Sequence, residues 1–220
     1  MDIKIFFEDN DIIVALKPAG VPVQPDKTGD KDMLTTLCEM TNNNDIGLIH
    51  RLDRPVGGIM VFSKNKKTEA KLSKLMSENN INKTYMAVVY GKTPKDGTMT
   101  DFIVKNSRLN TSSIVDSNVK GAKKAVLHYE TVAFKNDSEL GDISLVKIKL
   151  ETGRHHQIRV QFANAGFPLL GDQKYGIKTR TRKRFNVALF SCGLSFKLDN
   201  KREVMDFFYM PTDYPFDIFN

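Results

Sequence analysis

The N-terminal third of the chain places short apolar runs between polar turns. Two such runs, residues 3–7 and 11–16, flank an Asp-Asn pair and predict two short strands joined by a turn. Residues 17–20 (Lys-Pro-Ala-Gly) end the second strand, because proline and glycine favour a bend. Residues 31–40 have a weakly helical pattern, and the compact apolar run over 57–63 predicts a buried strand.

The remainder of the chain predicts two more helices and several more strands. Asn65 can cap a helix over residues 66–78, and residues 154–165 are helical in character until Gly166 and Pro168 end them. The polar segment 109–121 predicts an exposed loop. Strand-like alternation recurs in four segments: residues 85–91, 124–134, 143–151 and 188–198.

This order of elements predicts the fold class. Strands outnumber helices, and the helices are not regularly interleaved with them, which favours an α+β domain with a largely antiparallel or mixed sheet over a doubly wound one. No repeat, linker or low-complexity segment marks a boundary, so the sequence predicts a single domain over residues 1–220.

The charge of the chain and its use of cysteine indicate the kind of partner and the cellular compartment. Lys+Arg 33 against Asp+Glu 26 gives a net charge of +7 and a pI near 9.3, which favours a polyanionic partner such as nucleic acid. The two cysteines, Cys38 and Cys192, are far apart and outside any metal-ligand spacing, as is typical of a reducing compartment. No apolar run approaches the ~18 residues of a membrane span. We therefore expect a soluble, cytoplasmic protein.

The four histidines do not predict a metal site. His155 and His156 are adjacent, and on a helix their side chains would point about 100° apart. The phosphate-binding, dinucleotide-binding and serine-hydrolase motifs are absent from the sequence. The residues alone therefore do not favour a metal site, and they carry no marker for any of these three classes of site.

Residues 49–55, Ile-His-Arg-Leu-Asp-Arg-Pro, place one acid among three basic or potentially basic side chains. Arg51 and Asp53 would share a face on an extended backbone. The spacing alone fits either a surface ion-pair cluster, worth about 0–1 kcal/mol, or a catalytic carboxylate with its partners.

A second basic cluster occupies residues 152–160, where Gly153 separates a predicted strand from a predicted helix. Arg154 and Arg159 would lie about 140° apart on that helix, so one could face a buried site while the other faces solvent or phosphate. The same residues could equally form an amphipathic helix with solvated arginines. Tyr85, at the start of a predicted strand, is either a core residue or a functional one.

Five blocks along the chain, taken together, resemble the RluA family of pseudouridine synthases. They occur in the order expected for that family and cover most of residues 10–176. The blocks are Ile12–Val23, His50–Asp53 with Gly57-Gly58, Lys83–Tyr85, Thr152–Val160 and Gly166–Asp172. Leu194-Ser195-Phe196 is similar to the closing strand of the family.

The resemblance implies an RNA pseudouridine synthase, which isomerises selected uridines in RNA, with three catalytic residues. Asp53 corresponds to the aspartate that initiates cleavage of the uridine N-glycosidic bond, by attack at the sugar or through a glycal. Arg159 corresponds to an arginine that pairs with this aspartate, and Tyr85 to a tyrosine that packs on the base and is implicated in removing the C5 proton. Arg51 corresponds to the arginine that fills the space left by the flipped base.

The resemblance also implies a bent, mostly antiparallel mixed sheet with flanking helices and a central active-site cleft. We expect RNA, either tRNA or rRNA, as the partner, and a monomer. The resemblance implies no metal or cofactor, since the isomerisation involves no net redox change. Many relatives carry an N-terminal S4-type domain, and we expect none here, which favours tRNA. Two alternatives are a non-catalytic RNA-binding protein and an N-glycosidase. Further RNA contacts are expected from basic side chains: His50, Arg54, Arg154, Lys178, Arg180, Arg182, Lys183 and Arg184.

Overall fold

A computed structural model describes residues 3–177, 185–199 and 201–220. The chain divides into two compact units. Unit 1 comprises Met1–Lys83 and Ser191–Met210, and unit 2 comprises Thr84–Phe190 and Pro211–Asn220. The single domain expected from the sequence stays a prediction.

Strands make up most of the regular structure. Within the described residues the strands are β1 (Ile5–Glu8), β2 (Ile12–Lys17), β3 (Gly47–Leu48), β4 (Gly57–Ser63), β5 (Asn82–Tyr90), β6 (Asp96–Asn106), β7 (Thr111–Val115), β8 (Lys123–Asp137), β9 (Gly141–Leu150), β10 (Leu189–Phe196) and β11 (Met205–Phe208). The helices are α1 (Met33–Thr41), α2 (Lys66–Ser77), α3 (Gln157–Asn164) and a 3₁₀ turn, Phe216–Phe219.

Unit 1 is built on strand β4. Its strands lie in the order β1-β2-β4-β10, with β3 also paired to β4 and β11 to β10. All seven residues of β4 are buried, which explains the uninterrupted apolar run in the sequence. Gly58 has φ +136°, and a Cβ there would lie 2.4–2.5 Å from the backbone of Ser191, so only glycine fits.

Helices α1 and α2 of unit 1 each begin directly after a residue whose side chain caps the first turn, and of these two caps only Asn65 was predicted. The Asp32 side chain accepts a hydrogen bond from Thr35 N at the start of α1, and Asn65 accepts one from Thr68 N at 2.9 Å at the start of α2. Leu72 of α2 is fully buried in the core cluster beneath the sheet. The predicted helix over 66–78 and its Asn65 cap are therefore confirmed.

Unit 2 contains an antiparallel sheet with the strand order β5-β9-β8-β6-β7. Here one prediction was wrong, because segment 109–121 is not simply a loop. Residues 111–115 form β7, which pairs with β6 in a hairpin. Five inter-strand pairs hold the two strands, from Phe102–Val115 to Asn106–Thr111. One of them joins Ile103 to Ile114, and both side chains belong to a small hydrophobic cluster. The α+β class and the mostly antiparallel pairing are confirmed, whereas the bend of the sheet and the cleft stay predictions.

The predicted helix over 154–165 begins three residues late, at Gln157. The Gln157 Oε1 atom accepts hydrogen bonds from Arg154 N at 3.0 Å and Thr152 Oγ1 at 2.8 Å, and His156 is left-handed with φ 54°. A turn therefore precedes the helix, and Arg154 does not lie on it. The expected divergence of His155 and His156 was also wrong, because their rings stack with centroids 3.8 Å apart.

Candidate active site

In unit 1 the Asp53 segment connects β3 to β4 and is fixed through its backbone and His50. The Asp53 carbonyl accepts a hydrogen bond from Val56 N at 2.9 Å, which closes a turn. His50 Nε2 accepts one from Val61 N of β4 at 3.2 Å. The Asp53 side chain is half-buried and that of Arg51 is exposed. Asp53 is therefore a half-buried residue on a loop that these two hydrogen bonds anchor.

His50 acts as a hydrogen-bond acceptor rather than a cation. Burial lowers its pKa to about 4, and the nearby positive charge of Lys83 acts in the same direction. Its acceptor contact with Val61 N also requires a neutral ring at Nε2. Any contact that His50 makes with RNA would therefore be uncharged at neutral pH.

Lys17 is a residue of this region that sequence reasoning had treated only as part of a bend. It is 0% exposed, and its Nζ donates hydrogen bonds to the carbonyls of Pro18 at 2.9 Å and Arg54 at 3.0 Å. The ammonium thus holds the residue that follows Asp53. The signal in the sequence was that Lys17 ends an otherwise apolar strand, because a lysine buried there needs hydrogen-bond acceptors.

Burial lowers the pKa of Lys17 to about 7, while the negative charge of Asp53 acts to raise it. Because the unfolded lysine has its ordinary pKa of 10.5, the unfolded chain binds more protons between pH 7 and pH 10.5. Relative to a Lys17→Met variant, the wild type should therefore gain up to about 1.4 kcal/mol of unfolding free energy per pH unit in that window. Urea unfolding of both proteins at pH 7, 8.5 and 10 tests this. A constant difference across the three values would contradict it.

Arg54 is engaged within the protein. Its Nε donates to the Gly20 carbonyl at 3.0 Å and its Nη1 to Thr28 Oγ1 at 3.1 Å, and the guanidinium forms ion pairs with Asp26 and Asp30. These ion pairs are exposed and individually weak. They nevertheless bring the Arg54 side chain to the loop after β2, and its expected contact with RNA stays a prediction.

In unit 2, Arg159 lies on α3 and forms a buried ion pair with Asp172. Arg159 Nε and Nη2 donate to Asp172 Oδ2 and Oδ1, each at 2.7 Å, and the two side chains are 4% and 0% exposed. Burial acts to raise the pKa of Asp172, but the hydrogen bonds and charge of Arg159 outweigh it and hold the pKa below its ordinary value. Asp172 was not predicted as a site residue, because it lies 13 residues from Arg159 and no local pattern indicates their contact.

Tyr85, the third predicted catalytic residue, lies on β5 of unit 2 and is 7% exposed. It pairs across the sheet with Ile148 of β9. Asp53 thus belongs to unit 1, whereas Tyr85 and Arg159 belong to unit 2.

The remaining predicted RNA contacts differ in what the structure shows. Arg154 is exposed, and its Nε donates to the Lys124 carbonyl at 2.9 Å. The basic tract lies outside the described residues: Lys178, Arg180, Arg182, Lys183 and Arg184. In the described ranges no group of three or more His, Cys, Asp or Glu side chains could hold a metal ion. None of the helices in the described part has the length and apolar character of a membrane span.

Residues 11–164 match the RNA pseudouridylate synthase family. An uncharacterized RNA pseudouridine synthase of Bacillus subtilis, YhcT, is 34% identical over 181 residues, which cover 80% of this chain and 58% of that protein. Ribosomal large subunit pseudouridine synthase D of Buchnera aphidicola is 33% identical over 196 residues, covering 85% and 58%. The chain therefore spans less than two thirds of the length of these relatives.

Two solved human structures have the same fold. RNA Pseudouridylate Synthase Domain Containing 1 superposes with a TM-score of 0.82 at 22% identity, covering 97% of this chain and 85% of that one. RNA Pseudouridylate Synthase Domain Containing 4 gives 0.73 at 21% identity, covering 94% and 87%. The family match covers well over half of the chain and includes Asp53, Tyr85 and Arg159. The chain belongs to the RNA pseudouridylate synthase family.

Proposed function

We propose that this protein is an RNA pseudouridine synthase that isomerises uridines in tRNA or rRNA, with Asp53 as its catalytic carboxylate. The observation that carries the proposal is the anchored Asp53 loop inside the matched region: a half-buried carboxylate whose neighbours are fixed by Lys17 and His50. A reacting group must be held in place before substrate arrives, because misplacement by about 1 Å can cost 10²-fold in rate.

Three residues have distinct roles in the proposed reaction. Asp53 initiates cleavage of the N-glycosidic bond, by attack at the sugar or by way of a glycal. Tyr85 packs on the detached base and assists removal of the C5 proton after rotation. Arg159 keeps Asp53 ionised by supplying a positive partner, a role for which its planar guanidinium is better suited than an ammonium.

The substrate must be presented with its target base outside the stack. The exposed Arg51, two residues before Asp53, is the side chain we assign to the vacated space. The net charge of +7 supports binding to a phosphate backbone, with an affinity that falls as salt increases. We expect the protein to be a cytoplasmic monomer. We also expect it to act without metal or cofactor, since the isomerisation involves no net redox change.

The proposal is tested with RNA labelled with tritium at C5 of uridine, prepared separately as tRNA and as rRNA lacking pseudouridine. The expected result is tritium release from one pool and an equal amount of pseudouridine after nuclease digestion. Release of free uracil would instead indicate an N-glycosidase. RNA binding without release or pseudouridine in either pool would favour the non-catalytic alternative.

A further inference from the structure

We propose that Asp172 is a positioning residue that fixes the plane and direction of the Arg159 guanidinium. The inference rests on the proposed function, which gives Arg159 its role beside the catalytic carboxylate. Asp172 engages Arg159 through two parallel hydrogen bonds of 2.7 Å, from Nε and from Nη2. A single hydrogen bond would allow the guanidinium to rotate, whereas this fork-to-fork contact fixes its plane.

Asp172 can act as a fixed reference because its own carboxylate is held by the turn that follows it. Oδ1 accepts hydrogen bonds from Lys174 N at 2.9 Å and Tyr175 N at 3.2 Å, and the Asp172 carbonyl accepts one from Gly176 N at 2.9 Å. A Cβ at Gly176 would lie 2.3 Å from that carbonyl oxygen, so the tight turn depends on glycine there. Backbone groups, rather than flexible side chains, therefore set the position of the carboxylate.

Tyr175 packs beside the same guanidinium, which restricts it further. The Arg159 guanidinium carbon lies 5.3 Å from the centre of the Tyr175 ring. The phenol is itself anchored, because its oxygen accepts a hydrogen bond from Ser112 N at 2.6 Å and pairs with His156 Nδ1 at 2.7 Å. The turn at 172–175 thus provides both a carboxylate fork and an aromatic face for one arginine.

The geometry assigns Asp172 to orientation rather than to chemistry. An arginine side chain carries five N–H groups, and Asp172 accepts two of them from the Nε–Nη2 edge. Fixing that edge sets the direction of the other N–H groups, which the proposed mechanism uses. Loss of the fork should therefore reduce the rate of the chemical step more than it weakens the binding of RNA.

The test compares Asp172→Asn with a matched control, Asp101→Asn. Asp101 accepts a hydrogen bond at 2.7 Å from Gln161 Nε2, on the same helix as Arg159. The asparagine at 172 retains one oxygen but turns an N–H₂ group towards one arm of the guanidinium. We expect kcat for tritium release to fall about 10- to 100-fold with KM within about twofold, and the control to stay within about twofold in both.

Stability is separated from positioning by two further measurements. Thermal unfolding shows whether each variant is folded at the assay temperature. If Asp172→Asn is not, Asp172→Glu keeps the charge and displaces the fork by one methylene, with the same loss of kcat expected. An unchanged kcat in the folded variant, or an equal loss in Asp101→Asn, would overturn the inference.

Failure of the proposed function gives a different pattern. The Arg159 Nε–H signal in ¹⁵N NMR can be identified by its loss in Arg159→Lys. It reports the hydrogen bonds between Arg159 and Asp172 and does not depend on enzyme turnover. Suppose that the wild type is inactive on both RNA pools but this signal shifts in Asp172→Asn. The ion pair between Arg159 and Asp172 is then confirmed, whereas its catalytic role and the proposed function are both wrong. If the wild type is active and the signal shifts without a change in kcat, only the positioning role is wrong.

Discussion

Asp53→Asn should reduce the rate of pseudouridine formation by about 10⁴-fold or more, because an amide neither attacks carbon effectively nor removes a proton. The change preserves the size of the side chain. The contacts that fix the loop use other groups: the Asp53 and Arg54 carbonyls and the His50 ring. Folding should therefore survive, and removal of one negative charge should not weaken affinity for a polyanion.

The measurement pairs tritium release with filter binding and thermal unfolding for the wild type, Asp53→Asn and a control, Asp45→Asn. Asp45 is an exposed carboxylate of the same unit, at the end of the polar segment after α1. The control should keep wild-type turnover. A folded Asp53→Asn protein with more than about one per cent of wild-type activity would remove Asp53 from the chemical step.

The elements that could be read from the sequence are those specified by local chemistry. Strand β4 was predicted at its observed bounds, because a strand buried on both faces requires an unbroken apolar run. Helix α2 was predicted because Asn65 caps it and an apolar stripe follows. Both signals lie within about a dozen residues, so no knowledge of distant contacts was needed.

The elements that were missed depend on contacts that no local pattern contains. Strand β7 was missed because it is only five residues long and begins with Thr111-Ser112-Ser113, so its two apolar residues make no visible alternation. Its Ile114 packs against Ile103 of β6, a contact that only the folded chain makes. Helix α3 was predicted to begin too early because the pattern could not show that His156 would be left-handed, with φ 54°. A left-handed residue cannot be part of a right-handed helix, so the helix begins only after it.

The residues of the candidate site show the same difference between local patterns and distant contacts. Asp53 and Arg159 were found because they lie in recognisable blocks, although spacing alone could not decide between an ion pair and catalysis. Lys17 and Asp172 were not singled out as site residues, because their significance comes from burial and from partners many residues away. Burial is a tertiary property, so these supporting residues appear only when the chain is folded.

The largest stability change we expect is in Arg159→Met. Methionine can fill the space, but the substitution leaves the Asp172 carboxylate buried without its cation, which should cost about 3–5 kcal/mol of unfolding free energy. The loss should be largest near pH 7. Without Arg159, burial is the dominant influence on Asp172 and raises its pKa in the folded state, so the penalty should shrink as the pH falls towards 4 and the carboxyl takes up a proton.

The double variant Arg159→Met/Asp172→Asn distinguishes the two roles of the arginine. Asparagine is neutral and keeps an oxygen for Lys174 N and Tyr175 N, so urea unfolding at pH 7 should show most of the lost stability restored. Turnover should stay at the level of Arg159→Met, because neither methionine nor asparagine replaces the positive charge that the proposed mechanism assigns to Arg159. Recovery of activity together with stability would mean that Arg159 serves the fold alone, and the pairing assigned to Asp53 would have to be abandoned.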